Sequence, residues 1–427
     1  MQLEINRIFS KEKFKNAKTA VVGISGGGDS LSLLLLLHRY WINNPSAPQI
    51  VAVTIDHQLR SESYTEALWV SELCSKLNIK HHIVKWENKG ITKNLSAKAR
   101  YNRYKLLVKA AKQYPKPIIL VGHNLNDRIE TYLMRAKRQS TYGLAAIAKY
   151  NLLFDNIYLW RPLLDISRKE LRNYLQLNNY SWIDDPTNEN IKYERIAVRK
   201  QIGQLTSKEE IEWREKLQYI AKKREEFSKN IANLLYKLSP TLNGECLCLT
   251  VWKDINSHDF AYAIGILSSV IGGKEYLPSN CQLNEIKTII NTQYTKQHKF
   301  SVNSTILEKQ LHNYKYCLWR ENRNISAIMV QPHETIIWDN RFKITNNDSV
   351  AYEIRTPSTK ELKKIIGDDK IYRHETALTI ANKGDSYLYN YQQTTLPIKI
   401  IRIISLYKWL VSGFDLPIYK AIKHIFN

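Results

Sequence analysis

Along the first two hundred residues, short apolar runs rich in β-branched side chains alternate with longer stretches of helical period. Thr19–Ile24 reads as a strand, and Asp29–Trp41, with unbroken leucine from Leu33 to Leu37, as a helix. Ile50–Ile55 is a second strand, Glu62–Leu77 a helix and His81–Val84 a short strand. Asn94–Gln113 is a long helix, Pro117–Val121 another strand, and Asp127–Lys137 returns to helix. Strands that alternate with helices imply crossover connections, hence an α/β domain whose parallel sheet carries helices on both faces. Ligands of such sheets bind beyond the carboxyl ends of the strands. The stretches that follow Ile24, Ile55 and Val121 are therefore where chemistry is to be sought.

The pattern shifts at Thr206. From there to Leu238 the chain is charged, helical in period and free of Gly and Pro, as a linker helix would be. Residues from about 240 to 325 mix helices with two strand-like runs around Cys246 and Tyr314. Beyond Gln331 the chain turns strand-rich and aromatic, then ends in a helical, basic tail. A chain of 427 residues is too long for one ordinary core. The expected division is 1–205, a linker at 206–238, a mainly helical domain at 239–328 and a small α+β domain at 329–427. No internal repeat or low-complexity tract interrupts it.

Charge narrows the class of partner. Lys and Arg total 63 against 40 Asp and Glu, a formal net charge of +23. Such an excess suits a polyanion, because each cation set against a phosphate releases a condensed counterion. A genome biased toward Lys, Asn and Ile would also raise the lysine count, and charge alone does not choose between the two. The five cysteines (Cys74, Cys246, Cys248, Cys281, Cys317) include no CxxC pair. A zinc ribbon, an iron–sulfur cluster and a disulfide framework are therefore not expected, and Cys246 and Cys248 read as strand residues on one face. The opening MQLEINRIFSKEKFKNAK has no apolar core, and no apolar run approaches bilayer length. A cytoplasmic protein with no membrane contact is expected.

The loop after the first strand carries the clearest chemistry. Val21 to Ser30 reads VVGISGGGDS, passing from an apolar strand through three glycines into a leucine-rich helix. Glycines let backbone N–H groups approach an anion, and the helix N-terminus adds its positive end. Ser25 and Ser30 add hydroxyls. No Lys follows the glycines, so this is not the loop of γ-phosphate hydrolysis. A glycine turn capped by Asp29 is the purely local alternative. The SGGxDS pattern resembles the PP-loop, or N-type ATP pyrophosphatase, enzymes, with an adenine nucleotide alpha hydrolase-like fold; these cleave ATP between its α and β phosphates.

Three further stretches sharpen the resemblance. DHQLRSES begins at Asp56 after the second strand, AKARYNRY runs from Ala97 along the long helix, and GHNLNDRIET begins at Gly122. With SGGGDS, in this order and spacing, they resemble the tRNA(Ile)-lysidine synthetase family, whose hallmarks are DHxLRxxS, AR-x-x-RY and GHxxDDxxET. Downstream, Arg161-Pro162-Leu163, Arg168, Glu170, Asp185-Pro186 with Asn188, and Arg195 with Arg199 match its RPL…R-x-E…DP-x-N…R segment. The likeness is strong over the first two hundred residues, fair in the centre and weak over the last hundred. Three positions depart from the pattern: Asn126 for the first Asp of the DD pair, Gln139 for Gly and Ile196 for Asn.

The resemblance implies an AMP-forming ligase that uses ATP and Mg²⁺ to join L-lysine to C2 of the wobble cytidine in a CAU-anticodon tRNA(Ile). It implies catalytic roles for Asp29, Asp127 and Glu130. ATP would lie against Ser25, Gly26, Gly27, Gly28, Asp29, Ser30, Asp56, His57 and His123. Asn126, Asp127 and Glu130 would serve lysine or Mg²⁺, with the metal held through Asp29 or Asp127. Arg60, Arg100, Arg103, Arg138, Arg195 and Arg199 would meet phosphate or tRNA, the central and C-terminal domains holding the tRNA body and acceptor end. From Leu396 onward Lys399, Arg402 and Lys408 are interleaved with Tyr407, Trp409 and Tyr419, with Tyr391 just before. That mixture suits phosphate contact with base stacking, and equally an amphipathic element whose aromatics pack inward. A homodimer is left open. The rivals are a PP-loop tRNA thiolase, which needs reactive or cluster-binding cysteines, and a non-catalytic RNA-binding nucleotide sensor, which Asn126 would suit.

Overall fold

The computed structural model describes residues 3–58, 63–86, 95–138, 142–154, 156–184, 194–252, 254–292, 298–310, 315–368, 371–382, 384–392 and 395–426, with backbone alone at 95–97, 142 and 194–197. The chain forms two compact units, Met1–Glu225 with Trp409–Phe414, and Glu226–Lys408 with Asp415–Asn427. The stretch expected as a linker is one helix, Ser207–Leu238, and the boundary between the units falls inside it.

In the first unit the strands β1 (Thr19–Gly23), β2 (Gln49–Asp56), β3 (Lys80–Lys85), β4 (Pro117–Val121), β5 (Tyr150–Leu153) and β6 (Ile157–Trp160) join a seven-stranded sheet. Its order is Leu410–Ser412, β5, β6, β4, β1, β2, β3. The strands from β6 to β3 pair in parallel, and β5 and Leu410–Ser412 add antiparallel edges. The pleat sends Ala20 and Val22 into one core with Leu33, Leu34, Val70 and Trp160, and Val21 into another with Tyr104, Leu107 and Val108. Both faces are thus covered, which is why β1 and β4 are nearly continuous in apolar residues. The helix Gly28–Ile42 buries Leu31 and Leu33–Leu37, all round rather than on one stripe. Such burial, about 2 kcal/mol per leucine, anchors the loop in front of it.

The second unit holds the helices Ser257–Ile271 and Asn280–Asn291 and a five-stranded antiparallel sheet. Four-stranded and three-stranded sheets follow from Ile328 onward. Its interior contains a charged cluster. Asp339 pairs with Arg320 and Arg341, and Glu245 with Arg341 and Arg402. Cys246 and Cys248 lie two apart on the strand Cys246–Thr250, as expected, but Cys248 is disulfide-bonded to Cys317 opposite it on the neighbouring strand, which corrects the expectation of no disulfide. Among the described residues, no helix is long and apolar enough to cross a membrane.

Candidate active site at the ends of the parallel strands

The glycine loop leaves β1 at the carboxyl end of the sheet. Gly26 has φ +82°, a left-handed conformation that L side chains resist, and a Cβ there would meet Ile183 Cδ1 at 2.6 Å. The Ile183 N–H also donates to Gly26 O at 3.1 Å, so the chain near Trp182 braces the loop. Gly27 caps the helix Gly28–Ile42 with no side-chain bond, leaving its first-turn N–H groups for an anion. Ser30 Oγ accepts the Ser25 N–H at 3.2 Å and donates to Gly27 O at 3.0 Å, and the two serine hydroxyls lie 3.3 Å apart.

Asp29, on the first turn of that helix, faces a second carboxylate. The Arg168 guanidinium reaches Asp29 Oδ2 at 3.2 Å and Asp127 Oδ1 at 3.5 Å. Burial raises the Asp29 pKa; Arg168 opposes the rise and Asp127 adds to it. Asp127 is held by a capping box at the start of the helix Leu125–Lys137: its N–H donates to Asn124 Oδ1 and its Oδ2 accepts the Asn124 N–H, each at 3.1 Å. Asn126 Oδ1 accepts the backbone N–H of Arg168 at 2.8 Å. The amide at the departing position thus fixes the residue that bridges the two aspartates. One turn on, Glu130 carries a carboxylate 2% exposed, which takes the Arg199 guanidinium at 2.8 Å. Glu170 is bound by Arg214 at 3.0 Å and by the Ser167 N–H at 2.7 Å.

At the end of β2, Asp56 Oδ1 accepts the Gln58 N–H at 2.9 Å. Arg103 Nε donates to His57 Nε2 at 3.4 Å, and the imidazole packs edge-on against Trp86. Burial, reinforced by Arg103, pushes the His57 pKa down to about 4, so the ring is neutral at pH 7. His123 is half-buried just past β4. Behind it, Gly122 packs on the glycine-loop helix: a Cβ there would lie 2.8 Å from Asp29 O and 3.0 Å from Ser30 Cα.

The tertiary structure therefore joins Asp29, Asn126, Asp127 and Arg168 directly, with Glu130 and Arg199 paired one turn away. Arg100 is exposed, its guanidinium over the Tyr104 ring, and Arg138 is exposed at the end of its helix. Arg60 and the side chain of Arg195 lie outside the described residues, as do Asp185, Pro186 and Asn188. Lys399 and Lys408 are exposed in the second unit, Lys408 3.4 Å from Glu275. Arg402 corrects its expectation: its side chain is 7% exposed and committed to buried Glu245, so it cannot grip RNA without breaking that pair. Two tail aromatics are partly buried and engaged within the protein. Tyr391 OH bonds His374 Nδ1, and Trp409 packs on Tyr101 and Tyr104 in the first unit.

The sequence reading matched Arg168 to a motif but gave it no role. Its partner Asp29 is 139 residues away, and nothing local reports that distance closing. The bracing contact of Ile183 also went unseen, and the capping pattern Asn124-x-x-Asp127, which starts the helix at Leu125 rather than at Asp127, was passed over.

A glycine loop without lysine at the carboxyl end of a parallel sheet is the pattern of ATP-using PP-loop enzymes, and residues 1–206 match the PP-loop domain family. The curated tRNA(Ile)-lysidine synthase of Bartonella tribocorum is 30% identical over 487 residues, covering 98% of this chain and 97% of the relative. That of Brucella melitensis biotype 2 is 34% identical over 377 residues, covering 85% and 82%. The chain belongs to the tRNA(Ile)-lysidine synthase family. Among solved structures, the U34-tRNA thiolase NcsA from Methanococcus maripaludis is similar with TM-score 0.44 and 16% identity, covering 51% of this chain and 76% of that one.

Proposed function

We infer that this ligase modifies the wobble cytidine of a CAU-anticodon tRNA(Ile) in the cytoplasm. The C2 carbonyl oxygen of the cytidine attacks the α-phosphorus of ATP and pyrophosphate leaves. The ε-amine of free L-lysine then attacks C2, and AMP departs with the oxygen, leaving lysidine. The observation that carries this reading is the uncapped glycine loop set beside the Asp29–Arg168–Asp127 bridge. The loop's N–H groups and the Ser25 and Ser30 hydroxyls bind the phosphates, and the two carboxylates would hold the cation that the α-phosphate reaction needs.

The donor set fits Mg²⁺. Two carboxylate oxygens already converge on one guanidinium nitrogen, within 3.2 and 3.5 Å, and hard oxygens suit that ion. Bound there, Mg²⁺ would neutralise phosphate charge; Asp29 and Asp127 would hold it. An amine of pKa near 10.4 costs roughly 5 kcal/mol to present neutral at pH 7. With Asp127 given to the cation, Glu130 is the carboxylate that receives the ammonium and its proton, and it must part from Arg199 to do so.

Cysteine chemistry of the thiolase kind finds no support at the loop. Cys74 is buried in the apolar core, and Cys246, Cys248 and Cys317 belong to the second unit. The deciding experiment follows labelled lysine into CAU-anticodon tRNA(Ile) with ATP and Mg²⁺ while AMP is counted. Label in the tRNA with matching AMP is expected; AMP without label would reopen the nucleophile, and no AMP would overturn the reading.

A further inference from the structure

Three sulfurs converge in the second unit, on residues to which the ligase chemistry assigns no role. Cys246 and Cys248 are i and i+2 on the strand Cys246–Thr250, so their side chains share one face of the sheet. Cys317 stands opposite Cys248 on the antiparallel strand Lys315–Arg320. All three Sγ atoms lie within 4.8 Å of one another, with 3.9 Å between those of Cys246 and Cys248. Cys246 and Cys317 are 2% and 0% exposed, in a cluster with Trp319, Ile306 and Tyr372. Among the described residues no histidine or carboxylate joins the group.

We propose that this cysteine trio, with the Cys248–Cys317 bond reduced, binds one soft monovalent cation of the Cu(I) class. Opening the bond takes two electrons and two protons from a dithiol reductant, which closes to its own disulfide. Three thiols then face one point. Binding forms three metal–sulfur bonds and releases three protons. Thiolates are the ligands, so binding is coupled to the release of the thiol protons.

Ligand chemistry and geometry select the ion. Thiolates favour soft metals, and a structural zinc site would call for a fourth ligand that the trio lacks. A planar set of three sulfurs with bonds of about 2.3 Å places them about 4 Å apart, the spacing already present between Cys246 and Cys248. Arg373, Glu308 and Lys315 act electrostatically on Cys246, and because Glu308 is paired with Arg373 the surplus cation near the trio is Lys315.

The test uses the full chain, reduced with a phosphine under anaerobic conditions and titrated with Cu(I) against a chromophoric bicinchoninate chelator. One equivalent is expected in the wild type and in Cys281→Ser, which alters an exposed cysteine outside the trio. Cys246→Ser is expected to lose that binding. X-ray absorption at the copper edge of the wild type is expected to show three sulfur neighbours, an observation that needs no variant to fold. Equal uptake by wild type and Cys246→Ser, no uptake at all, nitrogen or oxygen neighbours, or displacement of Cu(I) by stoichiometric Zn(II) would each overturn the proposal.

Discussion

Replacing Gly122 by alanine adds one methyl group behind the ATP loop without touching a catalytic side chain. Its backbone needs no left-handed conformation, so the substitution acts through space alone. The new Cβ would stand 2.8 Å from Asp29 O, 2.9 Å from Asp29 C and 3.0 Å from Ser30 Cα. These are backbone atoms of a helix anchored by buried leucines, and no rotamer change can clear them. Restoring ordinary contact near 3.5 Å requires a shift of about 0.7 Å between β4 and the loop helix. Overpacking of this kind costs about 1–3 kcal/mol. A displacement of that size at the reacting centre lowers turnover by about tenfold to hundredfold.

Lysine-dependent AMP release, fitted for kcat and for the KM of ATP, reads the effect, with a thermal melt alongside. Gly203→Ala is the control. Its Cβ would meet nothing within 4 Å, and at a compatible position the exchange is neutral or stabilising by up to about 1 kcal/mol. Gly122→Ala with unchanged kcat/KM and an unchanged melt would refute the claim that this contact sets the position of Asp29.

Arg168→Gln removes the cation that opposes the burial-driven rise in the Asp29 pKa. The acidic limb of the pH–rate profile should move to higher pH, and an unmoved limb would show that Asp29 does not need to ionise. His57 and His81 are both pushed down from 6.5 to about 4, chiefly by burial, so the folded state resists protonating them. Their contribution is complete above pH 6.5 and is lost as pH falls from there toward 4, where the unfolded chain binds the protons. Melts between pH 6.5 and 4.5 should show a smaller loss in the His57→Asn, His81→Asn double variant than in the wild type. Trp409→Ala should destabilise the first unit by about 3 kcal/mol through lost packing on Tyr101 and Tyr104, lowering its melting transition; an unchanged transition would return this residue to the surface.

Periodicity was enough for β1 to β4 because each strand and helix reports its own burial locally, but it did not show β5, β6 or the edge strand Leu410–Ser412, which are short. Thr19–Ile24 and Pro117–Val121 fall within a residue of the observed strands, and the leucine-rich helix within one residue at each end. The glycine loop was legible for the same reason, since a strand, a tight turn and a helix start are neighbours in the chain. The tail was harder. Mixed lysines and aromatics have the same pattern whether they face solvent or a neighbour, and Arg402 and Trp409 turned inward because Glu245 and Tyr101 were there to receive them.

By itself, then, the sequence determined which backbone segments could turn tightly, bury leucines and present N–H groups to a phosphate. Those properties depend on residues within a turn or two of each other. The tertiary structure decided which charges meet: Arg168 between Asp29 and Asp127, Arg199 on Glu130, and three cysteines at one point of the second sheet. Such pairings join residues 41 to 139 positions apart at the active site. They depend on strand order and register, which bring distant positions within ångströms and leave no periodic trace in the chain.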